Sequence, residues 1–70
     1  MDSLTFKFGK KLREIRTSRD MTQEELANLA DIDRGHMGHI ERGTKSPTLD
    51  KIEQISIALK VSPSSLLKDL

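Results

Sequence analysis

This sequence predicts an all-α fold of five short helices, and three features predict it. Apolar residues recur at three- and four-residue spacing in one segment after another, and no alternating run marks a strand. Residues that favour helix starts, Thr22, Asp33, Thr48 and Ser62, each stand just ahead of such a segment, and Gly43 and Pro63 punctuate the joins. At 70 residues the chain has room for one small domain, taken as residues 1–70.

In the first helix, Leu4, Phe8, Leu12 and Ile15 fall within an arc of roughly eighty degrees and form the inward stripe. Phe6 falls on the other side, so it either precedes the regular helix or is an exposed apolar residue open to a partner. Lys7, Lys10, Lys11, Arg13 and Arg16 take the polar positions. The second helix opens at Thr22, whose hydroxyl with Glu25 three residues later makes a capping box. Leu26, Leu29 and Ala30 supply its stripe, and the small Ala27 permits close approach by a neighbouring helix.

Asp31-Ile32-Asp33 then breaks the helix, because Asp31 tolerates a left-handed turn and Asp33 can cap the next one. The third helix runs from Arg34 to Arg42, with Met37 and Ile40 inward and Gly43 as its C-terminal stop. Arg34, Gly35, His36 and His39 are left on its outer face. Thr48 caps a fourth helix with Asp50 near its positive end, and Leu49, Ile52, Ile55 and Leu59 form its stripe. Ile57 lies off that stripe and is expected to be exposed. Ser62 and Pro63 start a fifth helix. That helix is too short to bury Leu66, Leu67 and Leu70 together, so these three, with Ile57 and Val61, are expected at a subunit interface.

Composition narrows the function classes. Without cysteine there are no disulfides or thiolate metal sites, which fits a reducing compartment and a cytoplasmic location. No apolar run approaches membrane-spanning length, and the first residues do not resemble a signal peptide. The net charge is only +1, but it is segregated: residues 7–19 hold six basic side chains and one acid, whereas residues 20–33 hold five acids and no base. Such segregation can give a nearly neutral domain one positive face.

The residues Gly9, Leu12, Arg13, Arg16, Thr22, Gln23, Leu26, Ala27, Ile40, Glu41, Arg42, Gly43, Pro47, Leu49, Ile52, Ala58 and Leu59 form a pattern that resembles the Xre or lambda-repressor-like helix-turn-helix family. It covers about residues 6–67, and TQEELA followed by IERG at this spacing is a specific signal. The run DR-x-x-x-G-x-IERG is similar to the controller proteins of restriction–modification systems. The resemblance implies a five-helix DNA-binding domain with its helix-turn-helix at the second and third helices. It also implies that Arg16 pairs with Glu41, linking the first helix to the end of the third; direct DNA contact is the alternative. Asp20 stands where the family usually carries glycine and must adopt a turn conformation.

For DNA, the outer face of the third helix is the expected reader. Arg34 can bond O6 and N7 of guanine together, with phosphate contact as its rival. His36 and His39 share a face and can touch bases or the sugar–phosphate chain, and protonation of such imidazoles would favour binding as pH falls. Two histidines with no third ligand make a poor zinc site, so no metal is expected. Gly35 departs from the family's usual polar side chain: it either brings the backbone close to the base edges or forgoes a contact. Gly38 fits a small packing position. The resemblance implies phosphate contacts at Gln23, otherwise a solvent-exposed glutamine, and at Thr44, Lys45 and Ser46, otherwise an ordinary polar turn. Arg42 is expected on a phosphate, with a base or a shield for the dimer as alternatives.

The function expected is a sequence-specific transcriptional regulator, a homodimer on a two-fold double-stranded DNA operator, whose regulation tracks its own concentration. No cofactor, small-molecule ligand or membrane partner is expected. Two alternatives stand beside it. One is an antitoxin-type Xre module whose main partner is another protein. The other is an enzyme, against which the sequence offers no nucleophile–base pair, metal cluster or phosphate-cradling glycine loop.

Overall fold

Each helix starts on a side chain that accepts from the amide three residues on: Ser3, Thr22, Asp33, Thr48 and Ser62. In the computed structural model, which describes residues 2–70, the helices are α1 (Leu4–Ser18), α2 (Gln23–Ala30), α3 (Arg34–Arg42), α4 (Leu49–Leu59) and α5 (Pro63–Leu67). The Thr22 capping box is complete, with Glu25 N–H on the Thr22 hydroxyl at 3.0 Å and Thr22 N–H on the Glu25 carboxylate at 2.8 Å. Those bonds, the backbone one first, hold the Glu25 carboxyl below its usual value.

Left-handed residues turn the chain between helices. Asp20, Asp31, Lys60 and Gly43 take φ of 55°, 56°, 58° and 76°. The two aspartates suit this because a short polar side chain tolerates the conformation. Gly43 has a second reason to lack a side chain, since a Cβ there would meet the Cα of Phe6 at 2.7 Å. Phe6 is therefore helical, half-exposed, and set against the end of α3.

α3 packs on α1 and α2, α2 also packs on α4, and α5 closes the bundle against α1 and α4. The α1–α3 approach is close enough that a Cβ on Gly9 would lie 2.3 Å from the Ile40 carbonyl oxygen and 2.6 Å from that of Glu41. The core is Phe8, Leu12, Leu26, Ala27, Ala30, Ile32, Met37, Ile40, Ile52, Ile55, Leu59 and Leu66. From the side of α4, Gln54 Nε2 donates to the carbonyls of Ala30 at 2.8 Å and Asp31 at 3.3 Å, satisfying the end of α2.

Four expectations are corrected. Leu4, Leu29 and Leu49 are exposed, Leu49 by 81%. In α1 the buried arc turns toward Gly9 and Arg16, because α3 docks there, and leaves Leu4 outside. In α2, wedged between α3 and α4, the buried set is Leu26, Ala27 and Ala30, which puts Leu29 roughly 100° off its centre. Leu49 is the first residue of α4, whose buried set is Ile52, Ile55, Ser56 and Leu59. The fourth correction concerns Leu66. It is 1% exposed and belongs to the core, so it is closed to a partner: α5 lies across α1 and α4 and drives this leucine between them. Ile57 is 71% exposed, as its position off the stripe requires.

Candidate nucleic-acid interface

The buried network behind the helix-turn-helix sets the angle of α3. Arg16 Nε donates to Glu41 Oε2 at 2.7 Å and its Nη2 to Oε1 at 3.0 Å, a bidentate pair with side chains only 11% and 3% exposed. Arg16 Nη1 donates to the Met21 carbonyl at 2.7 Å, tying the same guanidinium to the α1–α2 turn. Gln23 Nε2 adds a third donor to the carboxylate, at 3.2 Å from Glu41 Oε1. Three elements thus converge on one carboxylate, and among the described residues no buried side-chain polar atom lacks a partner.

Over this base, α3 divides cleanly. Met37, Gly38, Ile40 and Glu41 are buried; Arg34, Gly35 and Arg42 are exposed, and His36 and His39 half-exposed. The Arg34 side chain is 68% exposed and lies 3.8 Å from the Glu24 carboxylate on α2. A Cβ on Gly35 would meet the Asp33 carboxylate at 3.0 Å, so the side chain that caps α3 lies against this stretch of backbone. At Gly38 a Cβ would meet Arg42 Nη1 at 3.0 Å and Gln23 Oε1 at 3.4 Å. The missing side chain is what lets the Arg42 guanidinium lie back along α3.

At the far end of α3 a second cluster forms. The Thr44 hydroxyl lies 2.9 Å from His39 Nδ1 and 3.2 Å from the His39 carbonyl, to which the Thr44 amide also donates at 3.0 Å. Arg42 Nη2 lies 3.4 Å from the same ring nitrogen. Lys45 and Ser46 come next, both exposed. At the near end, the capping box uses the amides of Thr22 and Glu25, leaving those of Gln23 and Glu24 as donors at the positive start of α2.

The structure therefore brings His39, Arg42 and Thr44 together at the end of α3, with Gln23 across Gly38 from Arg42, while Arg34 stands apart at the start of the helix beside Glu24. The Gln23 side chain, expected on a phosphate, is held by Glu41. Among the described residues, no three His, Cys, Asp or Glu side chains gather as a metal site would require. Among the described residues, no helix is long and apolar enough to cross a membrane. Sequence reasoning missed the pairing of Arg34 with Glu24, ten residues earlier; two exposed residues on different helices leave no periodic signal.

The comparisons with known proteins agree with this geometry. The chain is 51% identical over 61 residues to the control protein C.BamHI of Bacillus amyloliquefaciens, covering 86% of this chain and 75% of that one. Its fold matches the restriction–modification controller protein C.AhdI of Aeromonas hydrophila with a TM-score of 0.86 at 40% identity, covering 89% and 94% of the two chains. It matches C.Esp1396I bound to a 25 base pair operator site with a TM-score of 0.85 at 31% identity, over 97% and 90%. The helix-turn-helix family model matches residues 12–66, which span the capping box, the turn and the IERG end of α3. The chain belongs to the Xre-like helix-turn-helix family, and within it both sequence and fold are similar to the restriction–modification controllers.

Proposed function

We propose that this protein is a sequence-specific DNA-binding transcription regulator of the controller type, acting as a homodimer on a two-fold operator, with residues 1–70 as one DNA-binding unit. One observation carries the reading: the outer face of α3 stands free of its own domain while the inner face is locked to α1 and α2. A rigid helix presented that way fits a major groove. The operator-bound relative, which shares the fold over nearly the whole chain, supports it.

In this mechanism Arg34 reads guanine, and His36, His39 and the bare backbone at Gly35 line the groove beside it. Gln23, with the free amides at the start of α2, and Arg42, Thr44, Lys45 and Ser46 hold phosphates on either side. Arg16 and Glu41 touch no DNA; they fix the tilt of α3. The dimer face comprises Ile57, Val61, Leu67 and Leu70, of which Ile57 is the most exposed. The body measures 31 × 23 × 23 Å, so two copies side by side can set their α3 helices about 34 Å apart, one turn of B-DNA. Phosphates supply most of the affinity, so binding weakens steeply with salt.

The test is selection from a random duplex pool at moderate salt, repeated with Arg34→Ala. A two-fold motif whose guanine preference relaxes in the variant is the expected result. Enrichment of no motif, or a motif unchanged by the variant, overturns the reading. Purification with a stoichiometric second protein and no affinity for DNA at low salt would instead identify a protein-interaction module.

A further inference from the structure

We infer that Glu24 is a specificity-determining residue: its carboxylate sets how strongly Arg34 prefers guanine over an ordinary phosphate. The inference rests on the base-reading role of Arg34 and concerns a side chain outside the proposed set of DNA contacts. The left-handed turn at Asp31 brings the second residue of α2 beside the first residue of α3, with Glu24 Oε2 at 3.8 Å from Arg34 Nη1. Both side chains are mostly exposed, at 64% and 68%, so the pair sits on the surface that would face DNA.

The neighbouring acids are otherwise engaged. Glu25 is closed into the capping box by the Thr22 amide, and Asp33 accepts from the His36 amide. Glu24 is the acid that meets Arg34, and it does so next to the unused amides at the start of α2, where a phosphate would be held. Two ways of satisfying Arg34 then differ in charge. A phosphate oxygen brings an anion up to the Glu24 carboxylate and is repelled by it. Guanine offers O6 and N7, two neutral acceptors in the bidentate geometry, and brings no added anion. Glu24 therefore penalises the phosphate-only mode more than the guanine mode, and the difference is discrimination obtained by repulsion.

The experiment measures dissociation constants for the selected operator duplex and for a scrambled duplex of equal length, over a range of salt. It compares wild type, Glu24→Gln, Arg34→Ala and the double variant, with Glu24→Asp as the charge-restoring control. Exposed pairs of this kind are weak, so Glu24→Gln should tighten scrambled binding and narrow the ratio of the two constants by roughly two- to fivefold. The salt dependence of scrambled binding should steepen by about one phosphate's worth. Glu24→Asp should restore the ratio, and in the Arg34→Ala background Glu24→Gln should narrow it no further. An unchanged ratio in Glu24→Gln, or an equal narrowing without Arg34, overturns the inference while leaving the regulator reading intact. A wild type that prefers no duplex overturns both.

Discussion

Replacing Arg16 by alanine leaves the Glu41 carboxylate inside the protein with two of its three side-chain donors gone. The bonds at 2.7 and 3.0 Å disappear, the Gln23 amide at 3.2 Å remains, and the Met21 carbonyl also loses its partner. Removing one member of a buried ion pair costs about 3–5 kcal/mol, chiefly from the charge left behind. A chain of this length has about 4–10 kcal/mol in total, so the variant forfeits a large part of its stability. At about 4–8 °C per kcal/mol for a small domain, the loss of even the lower figure drops the melting temperature by roughly 12–24 °C.

Thermal melting monitored by far-UV circular dichroism measures this directly, alongside operator binding well below the melt. Both should fall, because α3 loses the anchor that sets its tilt. A paired variant, Arg16→Met with Glu41→Leu, separates the two effects. It removes both charges, so most of the stability should return, since apolar replacements of a buried pair are close to neutral. Binding should stay weak, because Gln23 has lost the carboxylate that holds it. If Arg16→Ala melts within about 2 °C of wild type yet loses DNA, the guanidinium acts on phosphate and the anchoring argument is refuted. If the paired variant melts as low as the single one, the stranded carboxylate is not the cause.

The packing makes two further outcomes testable. Gly9→Ala pushes a methyl group into the Ile40 and Glu41 carbonyls, which are backbone and cannot swing away, so α1 and α3 must separate. Chemical denaturation should show a loss of about 1–3 kcal/mol, and a stability equal to wild type would mean that the helices are not held so closely. Ile57→Glu places a charge on the proposed dimer face at a residue 71% exposed, so the fold should keep its melting behaviour at low concentration. Sedimentation should show monomer where the wild type is dimer, with operator affinity down at least tenfold. An unchanged sedimentation profile would move the dimer interface elsewhere.

Much of the fold was legible because its signals are local. Thr22 with Glu25, Asp33, Thr48 and Ser62 all cap the helices expected of them, and Asp20, Asp31 and Gly43 all make the left-handed turns. Apolar residues at helix flanks were less legible. Leu29, placed by its spacing on an inward stripe, is exposed, and Leu66, expected at a subunit interface, is core. The pairing of Arg16 with Glu41 was visible only through family resemblance, since no spacing rule connects residues 25 apart. At the candidate site, the outer face of α3 could be read from periodicity. The Glu24 partner of Arg34, and the space at Gly38 that Arg42 occupies, could not.

Taken alone, the order of residues determined where the second to fifth helices begin and that α3 stops at Gly43, because caps act within a turn or two of the chain. Only the tertiary arrangement decided which flank of α1 and α2 would be covered, that Leu66 would fill the centre, and which acid would stand beside Arg34. Those outcomes depend on where another helix lies, and that position is fixed by contacts between residues remote in sequence: Gly9 against the Ile40 and Glu41 carbonyls, Arg16 on Glu41, and Gln54 on the end of α2.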